Sequence, residues 1–223
     1  MMNVAILQFL GSNCDHDTEF AFEKLGAKTT LVWYKEEKLP ENTDLVVVPG
    51  GFSYGDYLRC GAIAKFAPIM TDVVRYANSG GKILGICNGF QILLEAGLLP
   101  GAMRRNENLH FISKFQHLKI ENSDNSFLNK YKSGDIVNIP IAHAEGNYYI
   151  DDNGLKDLQN NNQILVTYCD KDGKPNNPNG SVGDIAGICN KEKNVYGLMP
   201  HPERAIDLLI GSNDGANMLK GFL

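Results

Sequence analysis

Apolar residues along this chain fall into short runs separated by polar, glycine-bearing turns. Val4–Phe9, Lys28–Tyr34, Leu45–Val48 and Lys82–Ile86 are rich in Val, Ile and Leu, the pattern of buried strands. Asp15–Leu25 and Ala62–Ala77 carry longer mixed patterns that predict helices, the first with Phe20, Phe22 and Leu25 facing inward. Strand–helix alternation of this kind predicts an α/β fold: a doubly wound, mostly parallel sheet with helices on both faces. After Gly101 the rhythm changes. Short alternating runs at Phe111–Ile120 and Asp135–Ile139 predict a small antiparallel addition. Gln163–Cys169, Ile185–Cys189 and Val195–Met199 then return as apolar strands. The Asn- and Lys-rich stretches Glu121–Lys132 and Asp170–Asn179 read as solvated loops, and Asn177-Pro178-Asn179-Gly180-Ser181 reads as a turn. No linker composition divides the chain, so residues 1–223 are expected to form a single domain.

Composition narrows the classes. A chain of 223 residues, 43% hydrophobic, can bury a substantial core. Its net charge of −5 argues against nucleic acid, whose phosphates need a basic face. No apolar stretch approaches the roughly 18–20 residues of a membrane span. The opening Met1-Met2-Asn3-Val4-Ala5-Ile6-Leu7 starts a strand and carries no basic leader, so no signal peptide is expected. Cys14, Cys60, Cys87, Cys169 and Cys189 are odd in number and scattered, with neither disulfide nor metal-ligand spacing. A reducing, cytoplasmic setting follows, and no metal is expected.

One of these cysteines stands apart. Gly85-Ile86-Cys87-Asn88-Gly89-Phe90-Gln91 follows an apolar strand and opens a helix beginning near Gly89. Small residues two before and two after a nucleophile on a strand-to-helix turn make a nucleophile elbow, here with sulfur in place of a hydroxyl. A side chain at Gly85 or Gly89 would clash with neighbouring backbone. Free N–H groups at the head of a helix favour a thiolate, but a base is still needed.

Two histidines compete for that role. His201 lies just past the strand Val195–Met199, in Pro200-His201-Pro202-Glu203-Arg204, with Glu203 placed to orient it. His143-Ala144-Glu145 has the same His-x-Glu spacing after the strand-like run Val137–Ala142. His201 ranks first because open parallel sheets carry their active sites at the C-terminal strand ends. Spacing alone does not exclude His143, which in the other reading lines a pocket through His143–Tyr148. Pro49-Gly50-Gly51-Phe52 follows the third strand, where a Gly51 N–H paired with that of Asn88 would form an oxyanion hole. Gln91, one helical turn beyond Cys87, is placed to hydrogen-bond a substrate amide or carboxylate. Arg59, Arg104 and Arg105 are assigned no role; by default they are solvated or paired. A cysteine hydrolase or peptidase and a catalytically silent regulatory or binding subunit both remain open at this point.

The elbow with Gln91, the distant His201-Pro202-Glu203, the run Gly50–Arg59, Asn177–Ser181 and the opening Gln8–Asp15 together resemble the class I glutamine amidotransferases. Within that class the chain is similar, over essentially its whole length, to the glutaminase subunits of phosphoribosylformylglycinamidine synthase. It departs from them at Leu10, where proline is frequent, and at Ser113, where cysteine is. The resemblance implies Cys87, His201 and Glu203 as the catalytic triad, Gly51 and Asn88 as the oxyanion hole, and Gly50, Phe52, Gln91, Gly146 and Asn147 as glutamine-binding. It implies glutamine hydrolysis that supplies ammonia to a separate synthetase subunit, which uses ATP and magnesium in purine biosynthesis. A small third subunit is expected in the complex, and no cofactor in this chain. The absence of a Walker-type phosphate loop fits that division.

Overall fold

The structure is a computed structural model that describes residues 1–223. Its centre is a nine-stranded sheet ordered β2-β1-β3-β4-β11-β10-β9-β6-β7. β1 (Asn3–Gln8), β2 (Lys28–Trp33), β3 (Leu45–Val48), β4 (Lys82–Ile86) and β11 (Val195–Leu198) form the parallel half. β10 (Ile185–Cys189), β9 (Ile164–Cys169), β6 (Ile112–Ile120) and β7 (Ile136–His143) continue it antiparallel. β5 (Ala102–Arg104) and β8 (Asn147–Tyr149) make a separate antiparallel pair.

The helices are α1 (Asp15–Lys24), α2 (Pro68–Asn78), α3 (Asn88–Glu95), α4 (Asp152–Asn160) and α5 (Ala216–Lys220). The step β1–α1–β2 runs outward in one direction and β3–α2–β4 in the other. Right-handed crossovers therefore put α1 and α2 on opposite faces. Covered from both sides, the strands read as continuous apolar runs, and Ile6, Val47, Leu84 and Leu198 are wholly buried.

Four expectations need correction. The helix expected over Ala62–Ala77 is broken: Ala64–Phe66 is a short 3-10 turn and α2 starts at Pro68. The cause is Pro68, which forces Ala67 to an extended ψ of 142° and then serves as a helix start. The runs read separately at Asp135–Ile139 and Val137–Ala142 are one strand, β7, which reaches His143. It passes through Pro140, which is tolerated because β7 is an edge strand. Phe20 faces solvent on α1, whereas Phe22 is buried as expected. The two polar stretches are not simply solvated loops. Phe127 and Leu128 are fully buried, with the Phe127 ring 5.5 Å from that of Phe222, and Asn179 is buried too.

Candidate active site

β4 ends at Ile86 and α3 begins at Asn88, so the chain turns on Cys87 alone. That residue adopts φ 50° and ψ −107°, which non-glycine residues rarely occupy. The turn is held from both sides: Cys87 N–H donates to Leu198 O at 2.8 Å and Cys87 O accepts from Gln91 N–H at 3.2 Å. A Cβ on Gly89 would run into the Val48 carbonyl, and one on Gly85 would lie 2.8 Å from the Gly89 carbonyl carbon. Both elbow glycines are therefore required by close backbone approach. The sulfur stands 3.7 Å from Ala142 O.

β11 lies parallel to β4 with Leu198 opposite Ile86, which brings the segment after Leu198 to the elbow. Met199 N–H donates to Ala186 O and His201 N–H to Pro140 O, each at 2.9 Å, fixing the path of that segment. His201 Nδ1 is 2.6 Å from Glu203 Oε1, and each residue is only 2% exposed. His201 Nε2 has no hydrogen-bond partner in the protein. Burial pulls the imidazole pKa down, but the Glu203 carboxylate and the Cys87 sulfur outweigh it and raise it to about 10. Cys87 and His201 line one cavity of about 250 Å³ together with Cys14, Gly51, Phe52 and Arg204. A depression of about 320 Å³ around Gly97, Ile150 and Lys191 is larger, but it holds no nucleophile paired with a base.

His143 sits in a different environment. Its Nε2 accepts from Asn179 Nδ2 at 3.0 Å and its Nδ1 has no partner. Burial, with the charge of His201, depresses its pKa to about 3. Glu145 does not orient it; that carboxylate faces Arg105 at 3.8 Å. The two His-x-Glu sequences are thus equivalent in spacing and unlike in structure.

The remaining candidates divide by surroundings. Neither the Gly51 nor the Asn88 N–H donates to a protein acceptor. Gly51 has φ 138°, and a Cβ there would lie 2.7 Å from Asn13 N. Gly50 packs beneath the His201 ring, where a Cβ would be 2.9 Å from His201 Cε1. Phe52 is half-exposed on the cavity rim. Gln91 is buried and already engaged: Nε2 donates to Glu145 O at 2.6 Å, and Oε1 accepts from Asn88 Nδ2 at 2.9 Å. Gly146 is held by Asn106 Oδ1 on its N–H and by Asn179 and Ser181 on its carbonyl, and Asn147 opens β8. None of Gln91, Gly146 and Asn147 lines the cavity wall around Cys87.

Arg59 makes two hydrogen bonds to Glu95, at 2.6 and 2.7 Å, and Arg104 stacks on Tyr149 at 3.2 Å. Cys169 and Cys189 are buried thiols, each pushed up to about 11 by burial first of all.

Sequence reasoning missed Asn106 and Asn179, which tie β7 and its following turn in place, and also missed Arg204 beside the cavity. Arg204 donates to Asp17 at 2.9 Å and reaches Cys14 Sγ at 3.1 Å. The Cys14 sulfur, a His201 nitrogen and a Glu203 oxygen lie within 4.8 Å of one another. With a guanidinium against the sulfur and His201 bonded to Glu203, the group is a hydrogen-bonded charge cluster. Burial and the Glu203 charge push the Cys14 thiol up to about 12.

The family described as CobB/CobQ-like glutamine amidotransferase domain matches residues 1–217. Phosphoribosylformylglycinamidine synthase subunit PurQ of Sulfurimonas denitrificans is 64% identical, the match covering 100% of this chain and 99% of that protein. The protein of the same name from Campylobacter jejuni is 59% identical, over 100% and 96% of the two chains. A chain of the PurLQS structure from Thermotoga maritima superimposes with a TM-score of 0.89 at 39% identity, covering 99% of this chain and 97% of that one.

Proposed function

The chain belongs to the CobB/CobQ-like glutamine amidotransferase family, and from that premise we infer that it is the glutaminase subunit of phosphoribosylformylglycinamidine synthase. It hydrolyses glutamine, and the ammonia is used by a separate synthetase subunit to convert formylglycinamide ribonucleotide to the amidine in purine biosynthesis. The observation that carries this reading is Cys87 on its strained turn sharing one cavity with the buried His201–Glu203 pair.

In the proposed mechanism, His201, kept protonated near neutral pH by its raised pKa, pairs with the Cys87 thiolate, whose sulfur attacks the side-chain carbonyl carbon of glutamine. The oxyanion of the tetrahedral adduct is stabilised by the N–H groups of Gly51 and Asn88. Donors fixed in advance of the charge are worth on the order of 100–1,000-fold in rate each. His201 then hands its proton to the departing nitrogen, the C–N bond breaks and ammonia leaves a thioester on Cys87. A water, deprotonated by His201, attacks the thioester; its collapse releases glutamate and returns the thiolate beside the imidazolium. Glu203 holds Nδ1–H throughout and stabilises the imidazolium.

Gly50, Phe52, Gln91, Gly146 and Asn147 are proposed to bind glutamine. Gln91 Nε2 carries two hydrogens and Glu145 O takes one, which leaves a donor for substrate. ATP and magnesium act on the synthetase in this reading, a small third subunit completes the complex, residues 1–223 act as one domain, and the setting is the cytoplasm. No helix is long and apolar enough to cross a membrane.

The test combines the chain with the synthetase, formylglycinamide ribonucleotide, ATP and glutamine. Amidine should form at a rate matched by glutamate release. Glutamate release without amidine, under conditions where added ammonium salts do give amidine, would reject the assignment.

A further inference from the structure

Asn88 has two parts with separate work. Its backbone N–H opens α3 and is one of the two proposed oxyanion donors. Its side chain, 1% exposed, points away from that role into the loop that carries the other donor. Oδ1 accepts from Ser53 N–H at 3.1 Å, two residues beyond Gly51. Nδ2 donates to Asp56 Oδ1 at 3.2 Å and to Gln91 Oε1 at 2.9 Å. Both amide hydrogens and the carbonyl are thus engaged: Ser53 and Asp56 belong to the loop that follows Gly51, and Gln91 to α3.

The loop needs such a tie. Gly51, Tyr54, Gly55, Asp56, Leu58 and Gly61 all have positive φ. Tyr54, Asp56 and Leu58 carry side chains in a region that costs roughly 1–2 kcal/mol per residue. A segment strained at several positions stays in one conformation only when outside contacts hold it. The Asn88 amide makes two contacts to that loop, at Ser53 N–H and Asp56 Oδ1. It also runs the tie onward, because Gln91 passes it to Glu145 O in the turn after β7.

We propose that the Asn88 side chain is a positioning residue that fixes the distance between the two oxyanion donors, Gly51 N–H and its own backbone N–H. The inference rests on the glutaminase reading above. Asn88→Ala keeps the backbone donor but frees the Ser53–Asp56 loop. A donor displaced by about an ångström loses most of its effect on a developing charge.

The experiment uses the chain in complex with its synthetase and compares two reactions of Cys87. Glutamine turnover passes through a tetrahedral oxyanion; alkylation by iodoacetamide displaces iodide from a methylene and forms none. Asn88→Ala should lower kcat for glutamine about 10–100-fold, with KM changed less than about threefold. The iodoacetamide rate should stay within about twofold of the parent. Asp56→Ala, which cuts one of the ties, should give the same pattern more weakly, and Asp56→Asn, which keeps an acceptor, should recover most of it. An unchanged kcat in Asn88→Ala overturns the proposal, as does a loss carried wholly by KM or an equal fall in both reactions. If the parent complex itself turns over no glutamine, the glutaminase reading has failed rather than this inference.

Discussion

His143 Nε2 accepts a hydrogen bond from Asn179 Nδ2 at 3.0 Å, and that acceptor exists only while the imidazole is neutral. Protonation would remove a link between β7 and the Asn177–Ser181 turn. The His143 pKa is depressed to about 3 in the fold against an ordinary 6.5. Between those values the unfolded chain binds the extra proton, so stability falls as pH is lowered through that window. His201 runs the other way. Raised to about 10, it binds the extra proton in the native state between about 6.5 and about 10. Its contribution is complete below about 6.5 and is lost as pH rises. Each slope is at most about 1.4 kcal/mol per pH unit. Denaturant midpoints measured from pH 4 to pH 9 should therefore peak near neutrality. His143→Gln should flatten the acid limb and leave the alkaline limb; an unaltered acid limb would contradict the account.

Cys87→Ser should abolish glutamine turnover with the fold intact, because a hydroxyl is far less ionised than a thiol at the same turn. An electrophilic glutamine analogue should label Cys87 and spare Cys14, whose thiol is pushed up to about 12. In complex, Cys87→Ala should still yield amidine from ammonium salts but not from glutamine. Peptide mapping that finds Cys14 labelled as readily as Cys87 would count against an activated elbow.

His201→Ala should lower glutamine turnover roughly 100–10,000-fold, the usual worth of a general acid–base. Glu203→Ala should cost less, since the carboxylate orients the ring and does not carry the proton. His143→Ala should act mainly on stability. Normal turnover in His201→Ala beside an inactive, folded His143→Ala would reverse the assignment.

Gly50→Ala places a methyl 2.9 Å from His201 Cε1 and 3.2 Å from Cys14 Sγ. It should fold and lose about 10–100-fold in kcat as the ring is displaced. Gly26→Ala is the control. Its φ is 95° with open space around the new Cβ, so it should cost about 1–2 kcal/mol in stability and nothing in kcat.

The isolated chain should be a poor glutaminase that the synthetase activates. Hydrolysis without an acceptor wastes glutamine, and free ammonia is mostly protonated near neutral pH. The Gly50–Gly61 loop holds one of the proposed oxyanion donors and exposes Tyr57 and Leu58, 71% and 79% accessible, where a docked partner would order it. Glutamate release should be compared with and without the synthetase, the small subunit and their nucleotide ligands. Equal rates would remove the case for coupling.

The elbow was legible because its constraints are local: a strand, a sharp turn and a helix start within seven residues, Gly85–Gln91. The His201–Glu203 pair was legible for the same reason, although His143–Glu145 matched it in spacing. What separated them was contact across the fold. Asn179 binds one imidazole and Glu203 the other, and no local pattern reports that. The buried Phe127 was hidden in a polar stretch because its neighbours, Tyr196 and Phe222, come from the far end of the chain. The break before α2 did have a signal: Pro68 bars its predecessor from helical geometry.

The pairing of β4 with β11 sets an order on when this protein can work. Ile86 and Leu198 are partners in a parallel ladder, with most of the second half of the chain between them. While a ribosome is still making that interval, β4 is an open edge and the elbow has neither its base nor the Leu198 carbonyl that anchors Cys87. Long-range parallel pairing is slow, because the loop must close before any contact rewards it. A nascent chain thus carries its sulfur for a long time without the means to use it, and competence arrives late in synthesis, with the emergence of β11 and the His-Pro-Glu segment behind it.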